Sequence, residues 1–452
     1  MIRLSDLLAD TDGLASGLSQ DHVFLSASAD SRRCAPGSLF VALRGEHADG
    51  HRYAQLALEG GAGAVLVDEP GDWERRISVP DTRRALFQIL GGQRRRFQGR
   101  VVAVTGSVGK TTTKDLLAHL LSGTFDTFSS AGNLNSDTGL PIAAVALCPE
   151  QEVAVVEMAM RLPGEIADLV RAFAPDLAII TRIGVSHIGR LGSVEAIARA
   201  KAEIVGGLPG DGTAVLNADD PWTDYLAMAA PRSILRAGQR QGADLRLTVL
   251  EDRGLLGWRV QLKGFGTTVE AMLSWPGPGA LEALSLSAAC AHQLGVSLEQ
   301  VAQALLTLDP AACRIYAWEQ SGVLVIDDSY NASPQSMEAA LGLLAAISDR
   351  RRIAVLGDMR ELGAHGPRLH HQVGLIAARC VDGLVAVGDG GRQIADGALA
   401  GGLAADRVRL GSNRAEAEDI CRSWIRSGDA VLVKASRAVG LDGLMRAVLA
   451  DA

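Results

Sequence analysis

The chain has 452 residues, a hydrophobic fraction of 48% and a formal net charge of −8. Its length and composition indicate a folded globular protein of about three domains. The acidic balance gives no sign of a basic surface for nucleic acid, and no apolar run approaches the roughly 20 residues of a membrane span. Acids in the opening MIRLSDLLADTDG argue against a signal peptide, and six scattered cysteines without CxxC spacing argue against a disulfide framework or zinc site. We therefore expect a cytoplasmic protein with neither membrane insertion nor a nucleic-acid partner.

Hydrophobic patterning divides the chain into three α/β units. Residues 1–98 predict a small α/β domain, with strands at SLFVALRG (38–45) and AGAVLVDE (62–69) around a helix near 53–60. Residues 99–312 predict a central parallel sheet, because short apolar runs alternate with helical stretches. These runs are VVAVTG (101–106), VAVVEM (153–158), LAIITRIG (177–184) and GTAVLNADD (212–220).

Alternating residues from 244 to 274 predict a small antiparallel hairpin patch, followed by helices at 280–294 and 298–308. Residues 313–452 predict a second parallel α/β sheet. Its strands are VLVIDDS (323–329), RIAVLGD (352–358), GLVAVG (383–388) and DAVLVKAS (429–436).

The strongest motif is TGSVGKTTTK, a glycine loop between the run ending at Thr105 and a predicted helix. Such a loop lets backbone N–H groups at a helix N-terminus approach phosphate closely. Lys110 would reach the outer phosphates, and the Thr111 hydroxyl would bind Mg²⁺. Val104 stands where the standard Walker loop has its first glycine, so this is a shorter variant; an ordinary strand–turn–helix is the plain alternative. The predicted ATP-binding residues are Gly106, Ser107, Val108, Gly109, Lys110, Thr111 and Thr112.

Two side chains follow neighbouring buried runs and should meet at the same sheet edge. Glu157 closes VAVVEM, and a carboxylate at that end of a parallel strand suits Mg²⁺. His187 follows the next run, in RIGVSHIGRLGS. Taken alone, such a glutamate is more often a surface group, and such a histidine more often a structural hydrogen-bonding residue.

Lys201 lies on the apolar face of the predicted helix 193–206, seven residues after Val194. A buried lysine must find a partner or lose its charge. One interpretation is that the side chain extends towards solvent, as lysines commonly do. The other is a modified lysine, because a carbamate would convert the amine into a metal-binding anion.

Over essentially its whole length the chain resembles the Mur ligase family. The similar segments are ADSRRCAPGSLFVALRGEHADGH (29–51), TGSVGKTTTK, AGNLNSDTGLP (131–141), VVEMAMRLPGEI, SHIGRLGSVEAIARAKAEI, VLNADDP, CRIYAW, DDSYNASPQSM, LGDMRELG and VLVKASR. DDSYNASP and LGDMRELG favour the member that joins D-alanyl-D-alanine to UDP-N-acetylmuramoyl-tripeptide. The resemblance implies a UDP-substrate-binding domain (1–98), an ATP-binding domain (99–312) and a Rossmann-like domain (313–452).

The resemblance also assigns roles to matching positions. It implies that the catalytic residues are Lys110, Glu157, His187, Lys201 and Arg314. It implies metal contacts, with two Mg²⁺ ions and a carbamylated Lys201, from Thr111, Glu157, His187 and Lys201. Further nucleotide or amine contacts are implied for Arg314, Asp328 and Asn331. Substrate contacts are implied for Asp30, Ser31, Arg32, Asn133, Asn135 and Thr138. We expect a monomer.

Four departures from the family pattern bear on substrate binding. Arg182 and Ser136 stand where the family usually has asparagine, and Ala435 replaces the glycine of KGSR. A His-Asn…Asn cluster that helps to hold adenosine in the family is replaced by Gly279, Ala280 and Ala283.

The resemblance implies peptide-bond formation through an acyl phosphate made from ATP. Two alternatives stay open: a related ligase of a specialised pathway with another carboxylate or amine, and a nucleotide-gated binding protein without ligase activity. The nonstandard loop and the intact Lys201 weigh against the second.

Overall fold

The computed structural model describes residues 1–45, 48–230, 233–312 and 315–450. Three main β-sheets follow one another along the chain and give the predicted α/β architecture of three domains. The domain limits predicted at residues 98 and 312 stay predictions. Within the described ranges, no helix combines the length and apolar character needed to cross a lipid bilayer.

The N-terminal elements are β1 (Ile2–Arg3), α1 (Leu4–Thr11), β2 (Leu14–Ser16), β3 (Val23–Phe24), β4 (Ala27–Ser28), β5 (Leu39–Val41), α2 (Ala54–Glu59), β6 (Ala64–Val67), β7 (Arg76–Ser78) and α3 (Thr82–Arg96). The main sheet has the order β2-β7-β6-β5-β4, and only its β2–β7 pair is antiparallel. Helix α3 also reaches the central domain, where Gln93 Nε2 donates hydrogen bonds to the main-chain oxygens of Ala144 (2.9 Å) and Leu147 (3.1 Å).

The central elements are β8 (Arg100–Thr105), α4 (Lys110–Ser122), β9 (Thr127–Ser129), α5 (Gly139–Ala144), β10 (Val153–Glu157), α6 (Glu165–Phe173), β11 (Leu177–Ile180), α7 (Ile188–Leu191), α8 (Val194–Gly206), β12 (Thr213–Asn217), α9 (Thr223–Ala229), β13 (Ser233–Gly238), β14 (Leu245–Asp252), β15 (Trp258–Gly264), β16 (Thr267–Leu273), α10 (Pro278–Gln293) and α11 (Leu298–Leu305). Their nine-stranded sheet has the order β16-β15-β14-β13-β12-β11-β8-β10-β9. The strands from β9 to β14 are parallel, so the loops after β8, β10 and β11 meet at one edge.

The C-terminal elements are β17 (Tyr316–Gln320), β18 (Val323–Asp327), α12 (Pro334–Ala345), β19 (Arg351–Gly357), α13 (Gly366–Cys380), β20 (Gly383–Val387), α14 (Asp389–Ala400), β21 (Val408–Gly411), α15 (Arg414–Trp424), β22 (Asp429–Lys434) and α16 (Leu444–Leu449). The sheet order is β17-β18-β22-β19-β20-β21, parallel except for β17. One apolar cluster continues from the central domain, at Ile183 and Ile188, into this domain, at Met337 and Leu369.

The hairpin patch predicted for 244–274 differs in one respect. Its three strands are antiparallel to one another, but β14 also pairs in parallel with β13. The patch therefore extends the central sheet instead of standing apart from it.

Candidate active site

The glycine loop joins β8 to α4 in a conformation that only glycine accommodates. Gly106 has φ 153° and Gly109 has φ 83°. A Cβ atom at residue 106 would lie 1.8 Å from Thr181 Oγ1, so no side chain fits there. Because α4 begins at Lys110, its first N–H groups lack intrahelical acceptors and are available to an anion.

The segment after β11 holds this loop from one side. The Ser107 N–H donates to the Arg182 carbonyl (2.7 Å), and the Gly184 N–H donates to Ser107 Oγ (2.9 Å). Thr181 Oγ1 donates to the Val108 carbonyl at 2.6 Å. These bonds fix the loop within the protein itself, which preorganises it for a ligand.

Glu157 connects the glycine loop to the segment AGNLNSDTGLP (131–141). The Thr111 hydroxyl donates to Glu157 Oε2 (2.5 Å), and Asn135 Nδ2 donates to Glu157 Oε1 (2.7 Å). Glu157 is 2% exposed, so both bonds lie in a poorly solvated place where charge-assisted bonds are strong. The structure thus brings together two predicted metal residues and one predicted substrate residue.

Lys201 lies on the apolar side of α8 with 1% of its surface exposed. Burial lowers its pKa well below the ordinary value, the nearby charge of Lys110 lowers it further, and Glu157 opposes the shift. Lys201 therefore does not extend to solvent, and it lies close to Lys110 of the glycine loop and to Glu157.

His187 contacts the C-terminal domain. Its Nδ1 lies 2.6 Å from Glu361 Oε2, and this partner lowers the pKa of the Glu361 carboxyl. Both residues have left-handed backbone, with φ 65° and 66°. Nearby, the Gly189 N–H donates to the Glu361 carbonyl at 3.1 Å. Sequence reasoning found His187 but missed Glu361, although LGDMRELG was one of the similar segments.

Lys434 organises the loop after β18. Its Nζ donates to Asp328 Oδ2 (2.6 Å) and to the Asn331 carbonyl (2.8 Å), and its side chain is 2% exposed. The predicted Asp328 and Asn331 are thus joined by a residue that the prediction omitted. Lys434 could have been noticed in the sequence because lysine is rare in it: only five lysines occur in the chain. Arg314, predicted to bind nucleotide, lies outside the described residues.

The predicted substrate residues form two groups. Asp30 is bonded to Arg32 through two side-chain contacts (2.9 and 2.8 Å), and this partner lowers the pKa of Asp30. Ser31 lies between them in a 3₁₀ turn. In the second group, Asn133 is exposed, and Thr138 Oγ1 lies 3.3 Å from Ser136 Oγ. Of the two groups, only the second is continuous with the phosphate loop, through Asn135.

Arg182, one of the departures, forms an ion pair with Glu282 on α10. Two guanidinium nitrogens contact the two carboxylate oxygens, one of them at 3.1 Å. Burial raises the pKa of Glu282, while Arg182 opposes that shift. Helix α10 also contacts α4, because Ser287 Oγ donates to the Thr113 carbonyl at 3.1 Å. The pair therefore links both sides of the phosphate loop, near the altered positions Gly279, Ala280 and Ala283.

The residues at the edge of the central sheet where the loops after β8, β10 and β11 meet fit a nucleoside triphosphate and Mg²⁺. The Thr111 hydroxyl and the Glu157 carboxylate are adjacent oxygen donors, which Mg²⁺ prefers. The helix N-terminus and Lys110 supply the positive potential that phosphate requires.

Comparisons with known proteins agree with this geometry. Protein-family matches cover residues 26–96 (Mur ligase family, catalytic domain), 104–265 (Mur ligase middle domain) and 314–437 (Mur ligase, glutamate ligase domain). The chain is 36% identical to UDP-N-acetylmuramoyl-tripeptide–D-alanyl-D-alanine ligase of Synechocystis, covering 96% of this chain and 94% of that protein. The ligase of the same name from Escherichia coli is 34% identical, with 97% of each chain covered.

Solved structures give the same result. A crystal structure of MurF from Acinetobacter baumannii superposes with a TM-score of 0.86 at 31% identity, covering 99% of this chain and 98% of that one. MurF from Thermotoga maritima in complex with ADP gives 0.79 at 28% identity, covering 96% and 99%. The fold, the phosphate loop and these similarities together show that this chain belongs to the Mur ligase family.

Proposed function

We propose that this chain is an ATP-dependent ligase that joins D-alanyl-D-alanine to UDP-N-acetylmuramoyl-tripeptide in the synthesis of peptidoglycan precursors. Relatives named for this activity match almost the whole chain. The observation that carries the proposal within this structure is the convergence of Thr111, Glu157 and Lys201 on one phosphate loop. We further propose that it acts as a monomer in the cytoplasm.

Mg²⁺ would be held by Thr111 Oγ1 and Glu157, with His187 and a modified Lys201 contributing to a second ion. When bound, Mg²⁺ neutralises phosphate charge and draws the substrate carboxylate towards the γ-phosphoryl group. His187 lies in the loop after β11, at the same sheet edge as Glu157. Its contact with Glu361 would orient the imidazole ring.

Lys201 has the chemistry required for carbamylation. The nucleophile that adds to CO₂ is a neutral amine, and burial lowers the pKa of Lys201 so that this form is favoured. The Lys201 nitrogen would bond to the carbon of CO₂ and release one proton, which leaves a carbamate anion. The nearby charge of Lys110 would stabilise that anion.

The reaction begins when a carboxylate oxygen of the tripeptide attacks the γ-phosphorus of ATP. An acyl phosphate forms, and ADP leaves. The dipeptide amine then attacks the acyl carbon, the C–O bond to phosphate breaks, and phosphate departs while the amine loses a proton. Lys110 and the loop N–H groups would stabilise the spread charge of the transferring phosphoryl group, with Arg314 assigned the same task by resemblance.

Water must be excluded because it would hydrolyse the acyl phosphate. The contact between His187 and Glu361 joins the central and C-terminal domains beside the loop. The apolar cluster shared by the two domains extends this seam. The structure is thus suited to a reaction in a closed cleft.

A coupled ADP-release assay tests the proposal. Purified protein with Mg²⁺-ATP, UDP-N-acetylmuramoyl-tripeptide and D-alanyl-D-alanine should release one ADP per product, and mass spectrometry should identify the joined pentapeptide. Tripeptides ending in diaminopimelate or lysine identify the third residue. Release only with another carboxylate or amine would favour a specialised ligase. Slow hydrolysis independent of both substrates would favour the nucleotide-gated binding protein.

A further inference from the structure

Lys114 is a buried lysine of the motif TGSVGKTTTK that takes part in no step of the reaction. It lies on α4, about one turn after Lys110, and its side chain is 2% exposed. Its Nζ donates to the Ser130 carbonyl at 2.7 Å and to Ser129 Oγ at 3.1 Å, and it also contacts the Asp115 carboxylate. The three N–H groups of the ammonium therefore have three acceptors, which makes a buried charge tolerable.

Ser130 is the residue at which the chain leaves β9 and enters the segment AGNLNSDTGLP, here called the 131–141 segment. Ser130 is 1% exposed, and its N–H donates to the Val155 carbonyl at 3.1 Å. Its hydroxyl accepts from the Glu157 N–H at 3.3 Å, and its carbonyl accepts from Lys114. Lys114 thus ties the start of the 131–141 segment to α4.

The middle of the 131–141 segment is tied to the same helix by a second route. Asn135 Nδ2 donates to Glu157 Oε1 at 2.7 Å, and the Thr111 hydroxyl donates to the other oxygen of that carboxylate. Thr111 and Lys114 are three residues apart on α4, so they are neighbours on one face of the helix. One face of α4 therefore holds both the start and the middle of the segment.

The contacts of Lys114 also define how the residue can act. Its bond to the Ser130 carbonyl is charge-assisted and buried, so it is stronger than a bond between two neutral groups. Asp115, whose side chain is 41% exposed, supplies the opposite charge from within the helix itself. Because all three N–H groups are used inside the protein, Lys114 acts on a substrate only by fixing the position of its neighbours.

We propose that Lys114 is a positioning residue that holds the 131–141 segment, and with it Asn135, at the distance from the phosphate loop that phosphoryl transfer to the UDP-tripeptide requires. This proposal rests on the proposed function and on the substrate contacts expected of that segment. The phosphate loop itself is held separately, by the bond from Thr181 Oγ1 to the Val108 carbonyl. Loss of the Lys114 ammonium should therefore impair use of the UDP-tripeptide and spare the binding of ATP.

Steady-state kinetics of the full-length protein test the proposal. Lys114→Met keeps the length of the side chain and removes the ammonium. It should raise KM for the UDP-tripeptide about 10-fold or more and lower kcat, while KM for ATP stays within about 2-fold. Lys114→Arg restores a cation with N–H donors and should recover part of the loss. Lys263→Met, the same substitution at an exposed position of β15, is the matched control and should behave like the wild type.

Ser129→Ala provides a milder variant, because it removes one acceptor of the ammonium and keeps the charge. It should give the same selective rise in KM for the UDP-tripeptide, by about 3-fold. This variant keeps the proposal testable if Lys114→Met does not fold. Equal rises in KM for ATP and for the UDP-tripeptide, in either variant, would indicate general damage to the site and overturn the proposal.

A double-mutant cycle separates positioning from a purely structural role. If Lys114 acts through the 131–141 segment, Asn135→Ala should reduce kcat/KM for the UDP-tripeptide at least about 3-fold less in Lys114→Met than in the wild type. Additive losses would overturn the proposal, and so would unchanged kinetics of Lys114→Met at a normal unfolding temperature. Failure of the wild-type protein to ligate would instead remove the proposed function.

Discussion

Replacing Lys201 by methionine should make the protein more stable at neutral pH and inactive. The lysine is 1% exposed, and burial together with Lys110 lowers its pKa. In the unfolded chain the amine is protonated at pH 7, whereas in the folded chain the lowered pKa shifts its equilibrium towards the neutral form. Unfolding therefore takes up a proton, and the free energy of unfolding rises with pH by at most about 1.4 kcal/mol per unit.

The slope of this pH dependence sets the size of the expected difference in stability. Between pH 7 and 9 the wild-type protein should gain up to about 2.7 kcal/mol relative to Lys201→Met, because all other titrating groups are common to both. In a chain of this size that is at most about 3 °C in unfolding temperature. The variant should thus unfold at a higher temperature than the wild type at pH 7, with a smaller difference at pH 9.

Differential scanning calorimetry in CO₂-free buffer measures both proteins at the two pH values. Added bicarbonate should raise the unfolding temperature of the wild type more than that of Lys201→Met, because the variant lacks the buried amine on which the proposed carbamate forms. Parallel pH dependences for the two proteins would refute the argument that burial governs this lysine. Retained ligation in Lys201→Met would refute its proposed part in metal binding.

Three further changes test the rest of the site. Lys110→Ala should abolish ligation and leave the circular dichroism spectrum unchanged; ATP-dependent ligation by this variant would contradict the role given to the loop. Lys434→Met should lower the free energy of unfolding by about 3 kcal/mol, as measured by urea titration, because it removes the buried ammonium that donates to the Asp328 carboxylate; Lys434→Arg should restore part of the loss. Glu361→Gln should raise phosphate release above one per ligated product, because the contact with His187 that closes the seam is weakened; strict coupling would show that this contact does not exclude water.

Local patterns in the sequence predicted the strands that are long and apolar. VAVVEM and GLVAVG have all their strand residues buried, and both appear in the structure as β10 and β20. The prediction missed β9, which has only three residues, TFS, and β13, whose residues are mostly half-buried. Short or partly exposed strands depend on their neighbours in the sheet more than on their own composition.

The candidate site likewise contains residues that the sequence alone predicts and contacts that it does not. The glycine loop is contiguous, so its spacing alone indicates phosphate binding. The partners of the isolated residues are distant in sequence: Arg182 and Glu282 are 100 residues apart, and Lys434 and Asp328 are 106 apart. Nothing in a single sequence links such positions, because each contact exists only after the fold has brought its two distant segments together.

The left-handed backbone at both His187 and Glu361 is conformationally strained, and both residues lie where the central and C-terminal domains are in contact. Residues with a Cβ atom pay about 1 kcal/mol or more for this conformation. The contact between His187 and Glu361 and the hydrogen bond from the Gly189 N–H offset that cost only while the two domains touch. Separation of the two domains would remove these contacts and let both loops adopt a less strained backbone, so we expect the strain to favour opening of the cleft and release of the product.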